Sequence, residues 1–244
     1  MKKLILSFIV VCICCLTSCF QDYFPPHGGG GGSDPELPDP VAYYKFNENA
    51  LDETSNNDGE VNGANFVASQ AGEESSAIQF DGIDDFVQIP RSEDVNFGNE
   101  DFTISLMAKT STSDEGVLLS TRNTSSCSQA SGPTVTLAIG SDRSFRATLR
   151  GSNNVKYGII SSIPVNEDEW TLLTLSREGG LIRMYVESEE TQLVISETTD
   201  FTTSSDLYLG RTIYCSGNYL NATLDELQIF DKYVDIDTII KIYD

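Results

Sequence analysis

The chain's densest chemistry is an acidic turn, Asp81-Gly82-Ile83-Asp84-Asp85, set between the apolar runs 76–80 and 86–90. Its carboxylates repel one another, so the turn is either well solvated or holds a cation. Hard cations take carboxylate and carbonyl oxygens, and this turn supplies both. Asp-Gly between apolar runs predicts a hairpin, because glycine accepts φ > 0 without steric cost. Ile78 and Phe80 share one face of the incoming strand, and Val87 and Ile89 share one face of the outgoing strand.

The rest of the sequence restricts chemistry more than it offers it. The single histidine, His27, lies in a Gly/Pro-rich stretch. The chain beyond that stretch therefore lacks the parts for Ser-His-Asp or Cys-His catalysis and for His-based zinc sites. No phosphate-cradling glycine loop precedes a helix. A carboxylate pair of the glycosidase kind is the remaining option. However, Glu167-Asp168-Glu169 are consecutive and point to opposite faces or sit in a turn, while Glu187, Glu189 and Glu190 read as a solvated cluster at a hairpin end. The expectation is a non-catalytic protein.

The amino terminus reads as an address. Met1-Lys2-Lys3 precedes an apolar run, Leu4 to Leu16, that is too short to span a bilayer comfortably and matches a signal-peptide core. It ends in Leu16-Thr17-Ser18-Cys19, which looks like a bacterial lipobox whose Cys19 becomes the lipidated first residue. An ordinary secretory signal is the alternative. Residues 19–40, with a five-glycine run and several prolines, read as a flexible tether. The expected location is the bacterial cell envelope, lipid-anchored. Residues 41–244 are enough for a single all-β domain. Removing Lys2 and Lys3 takes the net charge from −22 to −24, which disfavours nucleic acid and anionic membranes.

Of six cysteines, Cys12, Cys14 and Cys15 leave with the signal and Cys19 is the anchor. For an exported chain, the remaining Cys127 and Cys215 are most simply a disulfide, with two unpaired thiols as the alternative.

Short strands with turns between them are predicted at 41–47, 59–66, 77–80, 86–90, 102–109, 116–121, 134–139, 144–150, 156–162, 170–177, 181–187, 192–196, 207–210 and 223–230. Glu178-Gly179-Gly180 reads as a hairpin turn. One helix is expected at the end, capped by Asp235, with Ile236, Ile239, Ile240 and Tyr243 on one face.

With these residues in view, the chain resembles the LamG-like jelly-roll family, the laminin-G branch of the concanavalin A-like lectin/glucanase fold. Val41-Ala-Tyr-Tyr-Lys-Phe-Asn47 is similar to its opening strand, and residues 51–59 to the polar loop after it. Phe80-Asp-Gly-Ile-Asp-Asp85 resembles its signature turn. Glu169-Trp170, Ile182-Arg-Met-Tyr-Val186 and Leu224-Asp-Glu-Leu-Gln-Ile-Phe230 resemble later strands. The chain departs from the family at Leu106-Met107, at Glu187-Ser188 and at Leu172 or Leu173, which loosens any inference about a shared surface site.

The resemblance implies an all-β, concanavalin A-like jelly-roll sandwich of two antiparallel sheets with a short C-terminal helix. It also implies one structural Ca2+, held by Asp81, the Gly82 carbonyl and Asp225, with Asp84 and Asp85 as nearby alternatives. Asp81 can equally well make only the turn. Sugar recognition would fall to aromatics, of which Tyr214 and Tyr219 bracket a surface loop; Tyr157 and Trp170 are weaker candidates. The functional expectation is a membrane-anchored, carbohydrate-binding module of the envelope. The alternatives are a protein-binding adhesion module on the same scaffold, or a glycan-cleaving enzyme.

Overall fold

A computed structural model of the protein describes residues 37–54, 57–110, 116–122, 132–212 and 219–243. Cys19, Cys127, Tyr214 and Cys215 lie outside the described residues, as do the expected signal segment and most of the expected tether.

Among the described residues, fifteen strands and one helix follow one another. They are β1 (Ala42–Tyr44), β2 (Glu60–Asn62), β3 (Asn65–Val67), β4 (Ala77–Asp81), β5 (Phe86–Ile89), β6 (Phe102–Lys109), β7 (Gly116–Ser120) and β8 (Thr134–Ile139). Then come β9 (Ser144–Arg150), β10 (Lys156–Pro164), β11 (Trp170–Glu178), β12 (Leu181–Val186), β13 (Glu189–Val194), β14 (Leu207–Leu209), β15 (Asn221–Phe230) and helix α1 (Ile236–Tyr243).

An eight-stranded sheet has the order β13-β12-β11-β6-β15-β4-β3, with β1 also on β15. A seven-stranded sheet has the order β10-β9-β8-β7-β14-β5-β2. Neighbouring strands run antiparallel. The alternation read from the sequence therefore builds a sandwich. Ile104, Leu106, Leu173 and Leu175 from one sheet meet Val135, Leu137, Phe145 and Leu149 from the other in one buried core.

The hairpin expected at the acidic turn does not form. β4 pairs with β3 and β15, whereas β5 pairs with β2 and β14 in the opposite sheet. The turn is a corner. Ile78 and Phe80 and, across the sandwich, Val87 and Ile89 all point into the shared core. Burial of both apolar faces outweighs the local turn signal. The strand expected at 59–66 also splits between the sheets, at Gly63. This residue has φ +82, and a Cβ there would lie 2.1 Å from Asp85 Oδ1, so any side chain would collide with the corner.

On its second face, the eight-stranded sheet packs α1 against β6, β11 and β15. Asp235 caps the helix: its Oδ1 accepts the Thr238 amide at 3.0 Å and its Oδ2 the Thr238 hydroxyl at 2.7 Å. Ile239 is fully buried in a small cluster with Met107, Leu172 and Phe230, and Trp170 packs against its side. Each such aliphatic side chain contributes ~1.5–3 kcal/mol. Tyr243 fixes the last turn by donating to the Glu226 carbonyl at 2.6 Å.

Among the described residues, one charged side chain is fully buried. Arg177, on β11, donates to the carbonyls of Thr199 at 2.7 Å, Glu197 at 2.8 Å and Gly179 at 3.0 Å. Its guanidinium also sits 5.4 Å from the Phe201 ring centre. The side chain thereby ties the 197–201 crossing segment to the β11–β12 hairpin.

Candidate functional site

At the corner, Asp81 Oδ1 accepts the Ile83 amide at 2.8 Å, and Asp85 Oδ2 accepts the Asp81 amide at 3.0 Å. Asp85 is buried, and the loss of solvent raises its pKa above the ordinary carboxylate value. The carboxylate oxygens of Asp81, Asp84 and Asp85 lie within 4.8 Å of one another. This all-oxygen set is of the kind a hard cation takes. Two of its oxygens already serve backbone amides, as a plain turn requires.

Asp225 does not join this set. Asp81 stands opposite Asn221 on β15, and Asp225 lies four residues farther along, or ~13 Å at the strand rise. The expected combination of Asp81, Gly82 and Asp225 is therefore not assembled. A bulge in the β15–β6 ladder, between Asp225 and Gln228, places Asp225 in a different cluster. There its Oδ1 accepts the Glu226 amide at 2.8 Å, and Tyr43 donates its hydroxyl to Glu226 Oε2. Asp225 is 3 % exposed. Burial, then the Glu226 charge, pushes its pKa up to about 7.

The outer face of the seven-stranded sheet has a different character. Registers across the strands place Glu60, Gln88, Tyr208, Ser120, Thr136, Thr148 and Gly158 in one continuous row. These residues alternate with the core residues of the same strands, so their side chains point away from the core. The Ser120 and Thr136 hydroxyls hydrogen-bond at 3.0 Å. Gln88 donates to Asp206 Oδ2 at 2.7 Å, and Asp206 Oδ1 accepts the Arg91 amide at 3.0 Å. Helix α1, the one helix among the described residues, packs on the other sheet.

Beside this row, toward its Glu60 side, the Arg211 guanidinium sits over Phe86, 3.5 Å from the ring centre, and 5.1 Å from that of Tyr208. The two rings are 6.3 Å apart. Arg211 follows Gly210, whose carbonyl accepts the Leu220 amide at 2.8 Å. Gly210 has φ +84, and a Cβ there would sit 2.6 Å from Phe80 Cδ1. The position directly before Arg211 therefore suits glycine.

Of the expected sugar-binding aromatics, Tyr219 is half-buried, two residues before Asn221, the partner of Asp81. Trp170 packs beside α1 and Tyr157 leans on the main core. The residues missed from the sequence are Phe86, Tyr208 and Arg211. Their signal was present in part: Val87 and Ile89 facing inward force Phe86 and Gln88 outward. The partnership with Arg211, 125 positions away, had no sequence signal.

The sequence profile of the concanavalin A-like lectin/glucanases superfamily (Laminin_G_3) matches residues 81–239. The chain belongs to this superfamily. No curated protein matches it in sequence. Among solved structures of this superfamily's fold, domain 4 of AbnA, an extracellular arabinanase from Geobacillus stearothermophilus in complex with arabinotriose, is similar at TM-score 0.65 and 16% identity. The match covers 84% of this chain and 98% of that one. The botulinum neurotoxin serotype G binding domain is similar at TM-score 0.65 and 12% identity, over 84% of this chain and 50% of that one. The serotype D ligand binding domain, in complex with N-acetylneuraminic acid, is similar at TM-score 0.61 and 15% identity, over 84% and 50%. The chain thus spans about half the length of the neurotoxin chains it matches. At these identities the likeness is one of fold.

Proposed function

We propose that this superfamily member is a non-catalytic carbohydrate-binding module, held at the bacterial envelope through Cys19. Its binding face is the outer surface of the seven-stranded sheet. The observation that carries the reading is the half-buried Arg211 stacked on Phe86, beside a row of amide and hydroxyl side chains in which Gln88, Thr136 and Thr148 are partly exposed while Tyr208 and Ser120 are buried. A sugar ring offers C–H groups to an aromatic or guanidinium plane and hydroxyls to polar neighbours, and this face supplies both kinds of partner. The solved relatives in complex with arabinotriose and N-acetylneuraminic acid support the reading by analogy of fold.

The test is a glycan array probed with the full chain and with Arg211→Ala. The expected result is binding to at least one glycan, weakened about tenfold in the variant, since a lost stacking contact of ~1–2 kcal/mol corresponds to that ratio. A blank array with folded protein would overturn the reading in favour of a protein partner. Such a partner could use the exposed apolar residues Val155, Ile160 and Val194 on and beside the edge strands β10 and β13.

A further inference from the structure

The acidic residues are not spread evenly along this chain. It has 37 acids in 244 residues, yet residues 116–166, which build β7, β8, β9 and β10, contain only Asp142. Against it stand Arg122, Arg143, Arg146, Arg150 and Lys156. Residues 207–224, which hold β14 and Arg211, contain no acid at all. Half of one sheet is therefore basic in a chain of net charge −22.

Arg143 and Arg146 are taken up by acids, and Arg122 also has a partner. Arg143 pairs with Glu167 at 3.1 Å and Arg146 with Asp142 at 2.9 Å. Arg150 and Lys156 form no ion pair among the described residues. Arg150 donates to the neutral Asn154 Oδ1 at 2.7 Å, and Lys156 is exposed. The two stand directly opposite each other across β9 and β10, where like charges repel. Thr134 is the next residue in that row, and Arg122 follows it by the register of β7 on β8. The parallel row beside it holds Thr136, Thr148 and Gly158. A Cβ added at Gly158 would meet nothing within 4 Å, so the row ends in open space. Besides Asp142, which is taken up by Arg146, Asp206 and Glu60 are the acids on this face. They lie toward its other side, and both Asp206 oxygens are already hydrogen-bonded.

We propose that β8–β10 bind an anionic polysaccharide, a glycan chain bearing uronate or sulfate groups. It would lie across the strands, with its acid groups at Arg150 and Lys156 and its hydroxyls at Thr136 and Thr148. This rests on the glycan-binding reading and names the ligand class. A strongly acidic protein repels polyanions at long range, so capture requires close contact on this row within a Debye length of ~8 Å at physiological salt.

The test is affinity electrophoresis of the full chain through gels containing polygalacturonate, dextran sulfate or neutral dextran. The expected result is retardation by at least one anionic polymer, with the two anionic arms separating carboxylate from sulfate preference. Arg150→Glu/Lys156→Glu should weaken it about tenfold or more. Lys232→Glu/Lys241→Glu changes the total charge equally at exposed positions off this face and should leave it intact. Circular dichroism confirms that both variants are folded. Binding of neutral glycans alone, unchanged by the Arg150/Lys156 reversal, would overturn this inference and leave the glycan-binding reading standing. Equal loss in both double variants, or equal retardation by double-stranded DNA, would also overturn it. No binding to any glycan by the folded protein would overturn both readings.

Discussion

Asp225 shows how one carboxylate can couple stability to pH. Its folded pKa rises from 3.8 to about 7, through burial first and the neighbouring Glu226 charge second. The neutral form therefore suits the fold. The contribution is fully present below pH ~4 and is lost as pH rises through about 7. At ~1.36 kcal/mol per unit it amounts to at most ~4 kcal/mol. Thermal melts from pH 4 to 8 should show Asp225→Asn gaining on wild type as pH rises; parallel curves would refute the assignment. The acidic turn carries a separate expectation. If it holds the Ca2+ that the family resemblance implies, the residues are Asp81, Asp84 and Asp85 and not Asp225. Calcium at a hundredfold excess over its Kd would then stabilise the full chain by ~2.7 kcal/mol. Asp84→Asn should lose most of that gain while Asp225→Asn keeps it. Equal gains in wild type and Asp84→Asn would remove the turn from consideration.

Among the elements, β11 carries the least expected structural charge. From the sequence, Arg177 reads as the polar end of an alternating strand, but the structure buries it completely against the carbonyls of residues 179, 197 and 199. The guanidinium fork reaches three acceptors at once, which an ammonium cannot do in the same geometry. Arg177→Ala should destabilise by ~3–5 kcal/mol in urea unfolding, with Arg177→Lys recovering only part. A loss below ~1 kcal/mol in the Ala variant would show that the crossing segment holds without it. The boundaries of β6, β8 and β9 were legible to the residue, because alternation between two buried layers repeats with a period of two. The capped helix was legible from Asp235 and the Ile239 stripe. The corner at Asp81–Asp85 was not. A tight turn between apolar runs looks alike whether its flanking strands pair with each other or with strands 140 residues away, and only the pairing of β4 with β15 separates the two cases.

At the scale of the molecule, net charge is a misleading average. A value of −22 argues against polyanion partners, but antiparallel neighbours β7 to β10 gather the acid-poor segment into one half of a sheet. Patterning along the chain alone sets the all-β class, the inward-facing residues, the C-terminal helix and the superfamily resemblance. Each of these depends on local periodicity or on ordered motifs that are read along the chain. The tertiary structure decided which sheet each strand joined and that Asp225 stands apart from Asp81. It also decided that Arg211 covers Phe86 and that Arg150 faces Lys156 beside an open row. Those are relations between residues distant in sequence or on paired strands. They are set by register and by burial of two apolar faces against each other, which no single stretch of chain encodes.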